Sequence, residues 1–352
     1  MSRHELRFTR LCWQSGRPMS ILYLLTAPSP SIEGTDAVFR DVAALRDAFQ
    51  GETLNLSPLK TSTRRFPKQL YGFNKIREIK ALESRCTINH LFFSFPYPFP
   101  ILRLLRNPMF YTVTASLDVK RKPPAIAQLR RLQGIVVSNE RDAGVLRAWG
   151  LTNYTIVPPG VDTANVLPSA QPLDRELTLL MASAPWHRRQ FESKGIDLLL
   201  ATAARIPSLR LILLWRGVLA DELARRVERL GIGNRVEIVN RGVAVNDYLK
   251  KAHATIVLAD NGGLVKSFPN SLVESLVAAK PVLLSETIAM ADYVTANQCG
   301  IVVADMTITA LTSAIEALRS DYERLARNAA QTRPDAFSIS TMVENHRRLY
   351  GL

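Results

Sequence analysis

The densest run of chemically useful side chains is Lys266-Ser267-Phe268-Pro269-Asn270-Ser271-Leu272-Val273-Glu274, which continues to Lys280-Pro281-Val282. A turn-forming Ser-Phe-Pro-Asn enters an amphipathic helix expected over 270–279. Free backbone N–H groups and the positive end of the helix dipole therefore face the loop before it, a setting that suits an anionic or hydroxyl-rich ligand. Glu274, one turn in, could accept two hydrogen bonds from a vicinal diol such as a ribose. The same spacing also describes a capped surface helix with a solvated carboxylate.

A second constellation spans Met181 to Asp197. A strand ends in a loop carrying His187, Arg188 and Arg189, and a helix opens around Lys194-Gly195. In α/β sheets the crevice beyond the strands' carboxyl ends is the usual ligand site, and cations there could neutralise charge growing on a departing diphosphate. In isolation the segment reads equally well as an ordinary basic loop.

Together these residues resemble the donor-site signature of retaining family-4 glycosyltransferases, the group 1 glycosyl transferases, which have the GT-B fold. In that signature two glutamates eight positions apart flank a Gly-Phe-Gly or Gly-Phe-Pro loop. By resemblance Glu274 is the second glutamate, which holds the nucleotide ribose, and Ser267, Phe268, Pro269 and Asn270 form the donor loop. Lys266 stands where the first glutamate contacts the transferred sugar. An ammonium has donors only, so that contact is lost or the donor sugar carries a carboxylate. Lys194 matches the diphosphate lysine, and either Arg188 or Arg189 matches the arginine before it, in a loop longer than usual. Arg241-Gly242-Val243 resembles the loop whose backbone receives the nucleobase. Val136-Val137-Ser138-Asn139 and Ile156 to Thr163 resemble the stretch closing the first domain, with Gly160 and Asp162 as turn residues. The acceptor half departs from the pattern. Its candidates are Gly34, Thr35 and Ser116, with no Gly-Gly pair after the first strand and no histidine in Tyr111 to Asp118.

The resemblance implies a metal-independent transfer with retention, from a nucleotide diphosphate sugar as co-substrate and with no other cofactor, to a hydroxyl of a glycan, lipid-linked or other acceptor. Two rivals stand beside it. A degenerate GT-B module would bind nucleotide or glycan without turnover. A nucleic-acid-binding protein would explain a net charge of +14 and an isoelectric point near 10.0, but no recognition motif for nucleic acid appears.

These residues need elements to position them. Apolar runs at Ile21–Thr26, Gly134–Ser138, Thr155–Val157, Leu177–Ala182, Arg210–Trp215, Val236–Val239, Thr255–Leu258 and Pro281–Leu284 alternate with helical periodicity at Gly195–Arg205, Ala220–Leu230 and Asn270–Ala279. That alternation predicts βαβ units and parallel sheets. The expected fold is α/β GT-B, two Rossmann-like domains whose sheets face an interdomain cleft. A chain of 352 residues exceeds the roughly 250–300 at which one core stops growing. The expected division is a basic extension over 1–18, an acceptor domain over 19–168, a donor domain over 169–335 and a helix over 336–352 crossing back to the first domain. The Pro- and Ser-containing Val166 to Arg175 is read as the linker.

Residues 1–170 hold 23 Lys and Arg against 12 Asp and Glu, and the remainder 22 against 19, so the basic excess belongs to the first half. Within it, Lys60 to Arg85 interleaves cations with Leu70, Phe73, Ile76, Ile79 and Leu82 at helical spacing. This fits a core-facing helix with solvated lysines, a helix lying on an anionic membrane, or a surface for a polyanionic acceptor. Cys12, Cys86 and Cys299 are far apart and the histidines scattered, which predicts neither a disulfide framework nor a metal site. The opening segment fits a signal peptide poorly, because its apolar run is at the lower limit for one and begins about twenty residues in. The run from Leu91 to Leu105 is broken by prolines and is too short to span a bilayer. A cytoplasmic enzyme, peripheral at most to the inner membrane face, is expected.

Overall fold

The computed structural model describes residues 20–352 except 28, 30–31, 58–66, 167, 170 and 333. The extension expected over 1–18 and the first part of the 60–85 segment lie outside the described residues. The chain forms two compact units. One runs to Ser29 and takes in Val38–Gly160 and Ile339–Leu352; the other takes in Pro30–Ala37 and Val161–Ser338.

In the first unit the strands are β1 (Ile21–Leu25), β2 (Glu52–Asn55), β3 (Ile88–Phe93), β4 (Met109–Val113), β5 (Gly134–Val137) and β6 (Tyr154–Ile156). They pair in parallel in the order β2-β1-β3-β4-β5-β6. Successive residues of a strand point to opposite faces. Accordingly Leu22 and Leu24 join one core with Leu91, Tyr111 and Ile135, while Ile21, Tyr23 and Leu25 join another with Phe92, Phe110, Met342 and Tyr350. Both faces are covered, which is why these strands read as unbroken apolar runs.

The second unit holds β7 (Leu177–Met181), β8 (Leu209–Leu214), β9 (Val236–Val239), β10 (Ala254–Val257), β11 (Val282–Ser285) and β12 (Gly300–Val303). Their order is β12-β11-β10-β7-β8-β9, again all parallel. The winding reverses at β7, whose neighbours are β10 on one side and β8 on the other. Such a reversal opens a crevice at the carboxyl ends of the two central strands.

The linker expectation needs correcting. The chain passes from one unit to the other at Gly160–Val161, and Val166 to Arg175 lies inside the second. Its composition suggested a hinge, yet partners from several elements fasten it. Val166 is buried against Leu180 and Ile212, and the Ser169 amide donates to Ala278 O at 3.2 Å. Tyr322 Oη donates to Gln171 O, and Arg319 Nη1 to Arg175 O. The last crossing comes at Ile339, because Val161 N donates to Phe337 O at 2.7 Å and keeps residue 337 with the second unit. The helix Ile339–Tyr350 then packs on the first unit through Met342 and Tyr350.

The long amphipathic helix expected within 60–85 is not formed over its described part. Gly72 adopts φ +81° between two short 3-10 turns, Lys68–Leu70 and Phe73–Lys75, the second of which leads directly into the helix Ile76–Glu83. Ile79 is buried as a core-facing helix requires, whereas Leu70 and Phe73 are 49% and 39% exposed.

Candidate functional site

β7 ends at Met181, and the chain loops through Ala182 to Arg189 before the short helix Gln190–Ser193. Lys194 and Gly195 then turn into the helix Ile196–Arg205. Gly195 sits at φ +63°, and a Cβ there would lie 2.6 Å from Leu258 Cβ, just past the end of β10. The Asp260 amide donates to Ser193 O at 2.9 Å. The turn bearing Lys194 is thus locked to the segment that leaves β10, at the point where the sheet reverses.

Lys194 is 4% exposed. Its ammonium donates to Ala184 O at 3.2 Å. The same oxygen accepts from Arg216 Nη2, two residues beyond β8. Arg216 lies over the Trp186 ring, 3.9 Å from its centroid, and its Nη1 is 3.5 Å from Asp36 Oδ2. Burial pushes the Lys194 ammonium down to about 7; the neighbouring Arg216 charge adds to this and Asp36 opposes it. Burial likewise lowers Arg216 to about 10, again opposed by Asp36, so it remains a cation at neutral pH. Two buried like charges side by side are costly, and strongly shifted groups of this kind cluster at functional sites.

Of the cations expected in this loop, only Lys194 turns inward. His187, Arg188 and Arg189 are exposed, and Arg188 pairs with Glu222 on the surface at 3.8 Å with 73% of its side chain in solvent. Arg216 was missed by sequence reasoning, although a signal existed: it follows the apolar Leu211 to Trp215 and so stands at a strand's carboxyl end.

β10 leads through the loop 258–269 into the helix Asn270–Val277. Ser267, Asn270 and Glu274 are buried, Glu274 at 5% exposure. Lys266 is half-buried and donates to Asn270 Oδ1 at 2.8 Å. The Phe268 ring is not available to a ligand, because it packs into an aromatic group with Tyr293 and Phe337 at centroid distances of 6.0 and 5.5 Å. Pro269 is buried too and supplies the carbonyl that accepts from Leu272 N and Val273 N. Gly242 and Val243 follow β9 at the same carboxyl edge, Gly242 exposed and Val243 half-buried. Glu274 and Lys194 therefore belong to segments leaving adjacent strands at one edge of one sheet.

The acceptor-side candidates are divided between the two units. Gly34 and Thr35 belong to the 30–37 segment of the second unit, where Thr35 Oγ1 donates to Ile32 O at 2.6 Å. Ser116 is buried in the first unit, just after β4. Cys86 and Cys299 are buried free thiols, and Cys12 lies outside the described residues. Among the described residues no helix is long and apolar enough to cross a membrane.

Two parallel six-stranded sheets, each flanked by helices, define an α/β protein of the GT-B class, and solved structures of glycosyltransferases share the arrangement. A sucrose-phosphate synthase from Thermosynechococcus elongatus superposes with a TM-score of 0.70 at 17% identity over 94% of this chain and 98% of that one. HepE of Anabaena, solved with UDP-glucose, gives 0.67 at 16% identity over 95% and 100%. WaaG, a glycosyltransferase involved in lipopolysaccharide biosynthesis, gives 0.65 at 14% identity over 94% and 98%. At the level of sequence, residues 187–333 match the family described as "Glycosyl transferases group 1". No curated protein matches the chain.

Proposed function

We propose that this protein transfers a sugar from a nucleotide diphosphate sugar to an acceptor hydroxyl, with retention at the anomeric carbon and without a metal. The observation carrying this reading is the buried Lys194 at the reversal of the second sheet, beside the segment that leads to the buried Glu274. The match of residues 187–333 to group 1 glycosyl transferases supports the glycosyl-transfer part of this reading. In the reaction the bond from the anomeric carbon to the diphosphate oxygen breaks and a bond to the acceptor oxygen forms on the same face. The acceptor's proton passes to the departing phosphate oxygen. Lys194 holds the charge that grows on the diphosphate, and Glu274 holds the ribose, so the protein contributes position and electrostatics rather than a nucleophile.

UDP and UDP-glucose are the first ligands to try, since HepE was solved with both. A glycan or lipid-linked hydroxyl is the proposed acceptor, and the basic first half of the chain would favour an anionic one or an anionic membrane surface. A thermal-shift screen of UDP, GDP, ADP and their sugars tests the donor site. The expected result is a shift with one base that Lys194→Ala and Glu274→Ala each abolish; variants behaving like the parent would refute the assignment.

Lys266 keeps a second reading in view. It occupies the place of the sugar-contacting glutamate and is engaged with Asn270, which suits a module that binds nucleotide or glycan without turnover. Release of nucleoside diphosphate from a panel of donors and acceptors decides: none with any pair would leave the binding reading standing.

A further inference from the structure

Resting on that reading of the donor site, we propose that Arg216 and Lys194 together form the diphosphate grip, and that Asp36 is an exchangeable anion occupying it until the donor arrives. Lys194 Nζ and Arg216 Nη2 both donate to Ala184 O, which fixes them side by side and aims both from the carboxyl ends of neighbouring strands. The guanidinium carbon lies over the Trp186 ring, 3.9 Å from its centroid, a cation–π contact that restrains the side chain. A guanidinium held flat presents a fork of donors that matches two phosphate oxygens, whereas an ammonium meets them as a point charge. The pair thus offers both kinds of contact to a diphosphate.

With Lys194 in its ammonium form, the charges do not balance without a ligand. Among the described residues the carboxylate paired with Arg216 is Asp36, which like Arg216 keeps only 13% of its side chain exposed. Their separation of 3.5 Å is longer than the ~2.7–2.9 Å of a well-formed charge-assisted bond. A doubly charged diphosphate would complete the neutralisation and offer more acceptor oxygens than one carboxylate, so it displaces Asp36. Asp36 rides on the 30–37 segment beside Gly34, which stands at φ +75° with nothing within 4 Å of a Cβ placed there. Arg188 and Arg189, on the exposed side of the loop, play no part in the grip.

Titration calorimetry with inorganic pyrophosphate and with UDP-glucose tests this on the full chain, with the melting temperature of each variant measured alongside. Arg216→Gln should weaken both probes by about 10- to 100-fold, the span expected for losing a hydrogen bond to a charged group. Arg216→Lys, which keeps the charge and safeguards against a folding defect, should fall between Arg216→Gln and the parent. Asp36→Asn should bind pyrophosphate several-fold more tightly. Parent-like binding by Arg216→Gln, or the loss appearing in Arg188→Ala or Arg189→Ala instead, overturns the role of Arg216. Weaker binding by Asp36→Asn overturns the exchange. A parent that binds neither probe overturns the donor-site reading as a whole, a result distinct from any of these.

Discussion

Lys194 and Arg216 donate to one acceptor, the main-chain oxygen of Ala184. One follows β7 and the other β8, so the parallel pairing of these strands places two cations from residues 22 positions apart at a single point. Removing both from water has its largest effect on the lysine, which can shed its proton where the arginine cannot.

That proton is the basis of a first prediction. In the free protein Lys194 is lowered to about 7 by burial and by Arg216, while a bound diphosphate would favour the ammonium and raise it again. Below pH 7 the donor meets a charged lysine, and affinity is flat. Above pH 7 binding must take up a proton, so affinity falls with rising pH, by up to about tenfold per unit. Calorimetry of a sugar nucleotide at pH 8 in two buffers of different ionisation enthalpy should register uptake approaching one proton. Lys194→Arg should remove that uptake, and an unchanged uptake in this variant would exclude Lys194 as its source.

Glu274 is expected to read the ribose diol. If so, Glu274→Gln weakens UDP by about tenfold or more, the cost of replacing a charged acceptor. The same substitution should cost 2′-deoxy-UDP measurably less, because that ligand keeps only one of the two hydroxyls. Equal losses with both ligands would mean that Glu274 acts only through the fold. The readout is the coupling from the four dissociation constants.

The strands of the second sheet were almost all visible in the sequence because nearly every side chain in them is apolar, and Lys194 and Glu274 because each sits at a recognisable spacing. β3 was not predicted as a strand: Asn89 and His90 interrupt its pattern, though both are buried with partners, Asn89 Nδ2 on Glu83 Oε1 and His90 on Tyr350 and Thr112. β2 is a short strand of the polar sequence Glu-Thr-Leu-Asn. Arg216 went unread for a different reason. The loop after β7 already offered three cations near the expected spacing, and that all three face outward depends on the shape of the loop, with Trp186 stacked against Arg216 and Trp186 N donating to Gln190 Oε1, not on composition. Phe268 shows the converse: motif position suggested a ligand contact, but its aromatic partners come from residues 25 and 69 positions further on.

Gly195 tests the mechanical side of the site. At φ +63°, with Leu258 Cβ and Met306 Cε 2.6 and 2.7 Å from a Cβ placed there, alanine brings both left-handed strain and a collision. Gly195→Ala should cost about 2–4 kcal/mol in urea unfolding. Because Lys194 is the preceding residue, the same variant should also lose pyrophosphate affinity under conditions where it remains folded. Retained affinity in a destabilised protein would show that the lysine can be placed without this turn.

The final prediction concerns acid. His346, on the helix Ile339–Tyr350, is buried, its Nδ1 on Met342 O at 2.9 Å, its Nε2 without a hydrogen-bond partner. His90 lies 5.7 Å away, with Tyr350 against both rings. Burial holds His346 down to about 4 and His90 well below the usual imidazole range, each being kept neutral in the folded chain. The unfolded chain takes up these protons near pH 6.5 and the folded chain does not. Stability is therefore fully present above pH 6.5 and declines as pH falls toward 4, by on the order of 3 kcal/mol for His346 alone. His346→Leu, close in volume and unable to titrate, should flatten much of this decline in urea unfolding between pH 7 and 4.5, with His90 supplying the rest. An equally steep decline in the variant would place the acid sensitivity elsewhere, among carboxylates rather than in the pair of rings beneath the C-terminal helix.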